Sequence, residues 1–208
     1  VSTDGTLDIV RDYTHVSKVI SEKDKGIYDA MNKGIACATG DIIGILNSDD
    51  FYTSENVIKD IVQLFENQDI ETTYADLNYV HPIQTDRIIR KWKSGTFKKT
   101  SFKNGWMPPH PTFFVRKEVY DKYGVFKLEM GTAADYEIML RFLEKHKCKV
   151  AYLPKTIINM RTGGASNNSL KARLKANMMD RKAWDENDLK PGYFTFILKP
   201  LKKIFQYL

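Results

Sequence analysis

Three groups of side chains in this sequence have the types and spacing to do chemistry. The first is Asn47-Ser48-Asp49-Asp50. It follows Ile42, Ile43, Ile45 and Leu46, a short apolar run rich in β-branched residues that reads as a fully buried strand. In open α/β sheets, ligands sit in the crevice beyond the carboxyl ends of strands. Two adjacent carboxylates there repel each other unless a cation or several donors offset the charge. Mg²⁺ and Mn²⁺ take oxygen ligands of this kind and share them with phosphates, which makes Asp49 and Asp50 candidate metal ligands. The same four residues also suit a plain turn leading into a helix that begins near Ser54. The second group is Asp135, in the first turn of a helix expected over 133–146, where the helix dipole favours a carboxylate whatever its role. Spacing alone therefore leaves open whether Asp135 is a general base. The third is Arg161, ahead of Thr162-Gly163-Gly164-Ala165-Ser166. That Gly-rich loop after a strand could close over a diphosphate, with Arg161 supplying charge.

The elements that must position these groups are legible from periodicity. A short helix carrying Leu7, Ile9 and Val10 is capped by Thr3 or Asp4, and a strand is expected over 15–21. A helix follows over 27–37. Val57, Ile58, Ile61, Val62 and Phe65 make residues 54–67 an amphipathic helix. Residues 72–80 and 87–92 alternate like half-buried strands. A buried strand over 112–116 leads to a short helix ended by Gly124. Residues 150–153 and 156–160 read as two strands interrupted by Pro154.

The chain has 208 residues, 42% of them hydrophobic, enough for one domain with a substantial core. It contains no run of 18 apolar residues, which excludes a membrane-spanning helix within it. Cys37 and Cys148 match neither a metal-ligand spacing nor a disulfide framework and are expected as free thiols. The formal charge is +6, and residues 170–208 hold nine Lys or Arg against four Asp or Glu. Within that tail, 170–184 reads as a basic helix. Phe194, Ile197, Leu198, Leu201, Phe205 and Leu208 then share one face, with Lys199, Lys202, Lys203 and Gln206 opposite. This pattern suits a helix lying in a membrane interface, or one packed on the domain or on a second subunit. Between Arg87 and Lys103 lie seven basic residues, no acidic ones, and Trp92, Phe97 and Phe102. No recognisable nucleic-acid module accompanies them, so a solvated or acceptor-facing surface is expected and no nucleic-acid partner.

The stretch from Ala38 to Tyr52, ATGDIIGILNSDDFY, resembles the nucleotide-sugar and metal-binding segment of the family 2 glycosyltransferases. Gly26-Ile27-Tyr28-Asp29-Ala30-Met31-Asn32-Lys33-Gly34-Ile35 resembles that family's G-x-x-x-A-R-N-x-G segment. Ser2-Thr3-Asp4-Gly5-Thr6 is similar to the end of its D-D-G-S-T-D-G-T loop, and Ala134-Asp135-Tyr136-Glu137 to its (E/A)-D-Y-E motif. Two positions depart: Asn47 stands where the family usually has an aspartate, and Met31 where it has an arginine. Both departures occur in a subset associated with surface-polysaccharide synthesis.

The resemblance implies an α/β GT-A fold, a mixed sheet flanked by helices over 1–168, with a basic amphipathic helical tail over 169–208. It also implies that the family's first strand-helix-strand unit would lie ahead of Val1. The activity implied is inverting transfer from a nucleoside-diphosphate sugar, most often UDP-linked, to an acceptor hydroxyl. The acceptor would be a saccharide or lipid-linked saccharide, and Mg²⁺ or Mn²⁺ would sit on Asp49 and Asp50. Asp135 would be the catalytic base. Asp24, Asp29, Asn32, Asn47, Ser48, Asp49 and Arg161 would bind the donor, and Trp106 and His110 the acceptor. The expected place is the cytoplasm, peripheral on the inner face of the cell membrane through the tail. A catalytically silent nucleotide-sugar-binding module is the other implied reading.

Overall fold

The computed structural model describes residues 2–163, 170–204 and 206. The elements in order are α1 (Thr6–Arg11), α2 (Ile27–Cys37), β1 (Ile42–Ile43), β2 (Asp50–Tyr52), α3 (Val57–Phe65), β3 (Thr72–Val80), β4 (Ile88–Trp92), β5 (Phe114–Arg116), α4 (Lys117–Tyr123), α5 (Ala134–Leu140), β6 (Val150–Arg161), α6 (Leu170–Glu186) and α7 (Thr195–Ile204). The strands form one mixed sheet in the order β1-β5-β3-β6-β2, with β4 on the same edge of β3 as β5. Only the β3–β6 pair is parallel. Buried on both faces, β3 lies against nearly the whole of β6 and forms the spine of the molecule.

Helix α3 covers one face of the sheet, laying Val57, Ile61 and Phe65 on Ala75, Leu77 and Ile158. The other face carries the larger core, where Tyr74, Phe102, Tyr136, Phe142 and Trp184 are buried. Trp184 belongs to α6, and its indole N–H donates to the Tyr136 hydroxyl at 2.9 Å. Glu137, fully buried, is held by Arg141 at 3.0 Å and by the Asn187 amide at 3.1 Å. Arg141 also donates to the carbonyls of Tyr123 and Val125. The chain after α5 continues through a π-helical turn, Arg141–Lys145.

Three expectations are corrected. Residues 15–21 form no strand; they are exposed and have no ladder partner among the described residues. The apolar run from Ile42 pairs only through Ile42 and Ile43, opposite Arg116 and Val115. Gly44 lies so close to the Phe114 ring that a Cβ would meet it at 2.2 Å, and beyond it Leu46 is 42% exposed. Residues 150–161 make one strand rather than two: Ala75 pairs with Leu153 and Asp76 with Thr156, so Pro154 and Lys155 are looped out as a bulge. A bulge removes the need for the N–H that proline lacks.

The tail is docked on the larger core. Gly192 N–H donates to Thr195 Oγ1, which in turn donates to the Lys103 carbonyl. Gly105, at φ +71, lies against the α7 backbone, where a Cβ would come within 2.4 Å of Lys199 N. Lys199 reaches inward to Asp180 of α6 at 2.7 Å, both side chains 13% exposed, and its ammonium lies 3.6 Å from the centre of the Tyr136 ring.

Candidate active site

Asp50 opens β2, opposite Met160 of β6. Its backbone N–H donates to the Asn47 carbonyl at 3.1 Å, so residues 47–50 form the turn between β1 and β2. One carboxylate oxygen, Oδ2, accepts from the Asn47 amide at 3.1 Å. The other, Oδ1, is buried without a hydrogen-bond partner. Burial pushes this carboxyl above its ordinary value and the neighbouring Asp49 adds to the rise, while Asn47, His110 and Arg161 pull against it. Arg161 ends β6 one residue beyond Met160. It donates to the Asp49 carbonyl at 2.7 Å and lies 4.9 Å over the Phe51 ring, which pins the turn to the sheet.

Asp135 is the second residue of α5, reached through a tight 3₁₀ turn in which Gly131 takes φ +50. Oδ1 accepts from the Tyr136 N–H at 2.7 Å, which fixes the carboxylate at the helix start. Oδ2 lies 3.4 Å from Nδ1 of His110, in the 3₁₀ turn His110–Thr112. The Tyr28 phenol of α2 lies near Asp135; burial first, and the carboxylate charge second, push it well above its ordinary range. His110 thus touches Asp135 and acts electrostatically on Asp50. His110 and Asp135 also border a mostly apolar hollow lined by Met31, Ile45, Phe126 and Met139.

The structure therefore brings together Asn47, Asp49, Asp50, His110, Asp135 and Arg161. Ser48 is exposed in the same turn. The remaining candidates are engaged elsewhere. Asp24 and Asp29 both face Lys33, at 2.8 Å and 3.5 Å, and Asp29 also accepts from the Lys25 N–H. The Asn32 amide is clamped at both ends by the Phe126 backbone, at 2.8 Å and 3.0 Å. Trp106 donates to the Ser94 carbonyl at 2.7 Å and packs among Tyr74, Phe97 and Phe102, so its indole closes the core. Gly164, Ala165 and Ser166 lie outside the described residues. Tyr28 was not singled out from the sequence, although Tyr28, Met31 and Ile35 recur at helical spacing on one face of α2.

Among the described residues no cluster of three or more His, Cys, Asp or Glu side chains is placed to hold a metal ion. What the turn offers is two adjacent carboxylates, one with a free buried oxygen. That is too few donors for an all-protein cage, but it fits a small hard cation that takes its remaining ligands from phosphate and water.

The family model for glycosyl transferase family 2 matches residues 1–124, more than half of the chain and all of the Asn47–Asp50 turn. The chain belongs to that family. An uncharacterized glycosyltransferase of Mycobacterium tuberculosis is 30% identical over 128 residues, covering 58% of this chain and 45% of that protein. A PGL/p-HBAD biosynthesis glycosyltransferase of Mycobacterium bovis is 23% identical over 174 residues, 81% of this chain and 65% of that one. The chain spans about half to two thirds of the length of these relatives. Its fold is GT-A. The crystal structure of S. aureus TarS in complex with UDP superposes with a TM-score of 0.59 over 91% of this chain and 55% of that one, at 16% identity. The UDP-GlcNAc complex of the same protein gives 0.59 over 91% and 56%, at 15% identity.

Proposed function

We propose that this family 2 domain transfers a sugar, with inversion, from a nucleoside-diphosphate donor to an acceptor hydroxyl. One observation carries the reading: Asp135 meets His110 at 3.4 Å on the wall of one hollow, and the same histidine acts electrostatically on the buried Asp50 carboxyl, whose Oδ1 has no partner. Two carboxylate stations so placed suit a donor diphosphate at one and an attacking hydroxyl at the other.

The donor is UDP-linked in this reading, supported by the UDP and UDP-GlcNAc complexes of the structurally similar TarS. Asn47, Ser48 and Asp49 border the diphosphate, and Arg161 holds the turn in place through the Asp49 carbonyl. Asp49 and Asp50 would hold Mg²⁺ or Mn²⁺, which when bound offsets the charge that develops on a departing diphosphate. Asp135 accepts the proton of the acceptor hydroxyl as that oxygen attacks the anomeric carbon opposite the leaving group. Its geometry suits the task, because Oδ1 is fixed by the Tyr136 N–H while Oδ2 faces His110 and the hollow. His110, 3.4 Å away, orients that oxygen. A single base is enough for one inverting displacement. The acceptor is a saccharide or lipid-linked saccharide in surface-polysaccharide or glycolipid synthesis, supported by the PGL/p-HBAD relatives. The tail brings the domain to the membrane face where such acceptors reside.

Asp135→Asn tests the base. It preserves side-chain volume and is expected to leave UDP affinity, measured by calorimetry, unchanged. Transfer should fall about 10²- to 10⁴-fold, the usual contribution of a positioned base. Turnover equal to the wild type would remove Asp135 from the mechanism.

A further inference from the structure

Helix α7 is docked with two of its polar side chains turned inward and most of its apolar ones left outside. Thr195, Phe196 and Lys199 turn inward: Thr195 hydrogen-bonds the Lys103 carbonyl, Phe196 packs against the larger core, and Lys199 is paired with Asp180 over the Tyr136 ring. Phe194, Ile197, Leu201 and Ile204 are 65%, 59%, 45% and 57% exposed, and Tyr193 just ahead of the helix is wholly exposed. At a helical spacing of 194, 197, 201 and 204 these side chains form one continuous ridge. Apolar ridges of this size on a folded surface mark contact with another phase or another protein. Phe205 and Leu208, which share this face in the sequence, lie outside the described residues.

Charge selects the occupant. The start of α7 is tied to Lys103, and Gln206, just past its end, accepts from the Lys91 N–H at 3.0 Å. The helix therefore lies along the 87–103 stretch, which holds seven basic residues and no acidic ones. Of these, Lys91, Lys93, Lys98, Lys99 and Lys103 are exposed, and Lys202 is exposed on α7 itself. The cations available to a partner thus come mainly from the flanking stretch, with Lys202 added from α7, while Lys199, opposite the ridge, is satisfied inside the protein. An apolar ridge with a cationic rim matches the two layers of an anionic bilayer: acyl boundary below, phosphate headgroups at the side.

We infer that the outward ridge of α7, together with the lysines of 91–103, seats this protein on a membrane rich in anionic phospholipid. The inference rests on the tail meeting a membrane, and it adds which face does so and which lysines accompany it. No helix of the described residues is long and apolar enough to cross a membrane, so the contact is one of lying on the surface.

Sedimentation with liposomes of phosphatidylcholine alone, or with phosphatidylglycerol added, tests it. The wild type should bind the anionic vesicles and bind them less as salt rises. Ile197→Ser/Leu201→Ser, both exposed and so compatible with folding, should weaken binding at least about tenfold. Lys98→Glu/Lys99→Glu should weaken it by about fivefold or more per lysine and leave the residual affinity for neutral vesicles unchanged. Binding that survives the ridge substitutions would overturn the assignment of the face while leaving membrane association intact. Failure to bind either vesicle would overturn both. Concentration-dependent dimerisation abolished by the ridge substitutions, without vesicle binding, would assign the ridge to a second copy and overturn the inference. Since none of these readouts uses sugar transfer, they stand apart from the test of Asp135.

Discussion

Replacing Asp50 by Asn should make the metal-free protein more stable at neutral pH. Asp50 is 6% exposed, its Oδ1 has no partner, and burial raises its carboxyl above the ordinary value. A group whose folded-state value is raised contributes stability that is fully present below its unfolded value. That contribution is lost as pH rises through the folded value. At pH 7 the ionised Asp50 therefore weighs against the folded state, and in acid it does not. A buried polar group left unsatisfied costs about 1–3 kcal/mol, more when charged. Asparagine removes the charge, keeps an acceptor for the Asn47 amide and leaves one polar atom buried, so a gain of about 1–2 kcal/mol is expected. For a chain of this size that corresponds to roughly 2–8 °C in Tm. Thermal unfolding with EDTA at pH 7.5 and at pH 4 measures it: the gain should be present in the first and absent in the second. Adding Mn²⁺ with UDP should then raise the Tm of the wild type and not of Asp50→Asn. A variant less stable than the wild type at pH 7.5, or a gain that persists unchanged at pH 4, would refute the reasoning.

Two further outcomes follow from the same geometry. Lys199→Met leaves Asp180 buried beside the Tyr136 ring and should cost about 3–5 kcal/mol, with most of it restored in Asp180→Asn/Lys199→Met; urea unfolding of the four proteins gives the coupling directly. Tyr28→Phe removes the hydroxyl beside the Asp135 carboxylate and should lower transfer by about tenfold with donor affinity intact, which steady-state kinetics beside UDP calorimetry would show.

Much of this architecture was legible where apolar periodicity is long and unambiguous. Helix α2, strand β3 and helix α4 fall where the pattern places them, and β4 begins one residue late. The Asn47–Asp50 cluster was also legible, because two carboxylates after an apolar run are informative whether they bind a ligand or make a turn, and here they do make the turn. What stayed hidden depends on partners far away in the chain. Val16, Val19 and Ile20 have strand-like residue types, but a strand exists only with a neighbour to pair with, and they are 40–44% exposed. Asn32 matches a motif position, yet its amide is taken by Phe126, 94 residues away. The tail showed two unlike faces, and nothing in an amphipathic pattern states which one turns inward; that was decided by Asp180 and by the close approach at Gly105.

The looped-out pair in β6 bears on how freely this strand could change length in evolution. Side chains alternate sides at every residue along a strand, so an insert of two is silent with respect to facing, whereas an insert of one reverses everything beyond it. Pro154 and Lys155 are such a silent pair, lying between the paired residues Leu153 and Thr156, and a separate shift beyond them leaves Ile157 without a partner in β3 before Ile158 pairs with Leu77. Their joint loss would shorten the strand and leave Arg161 on the side from which it grips the Asp49 carbonyl.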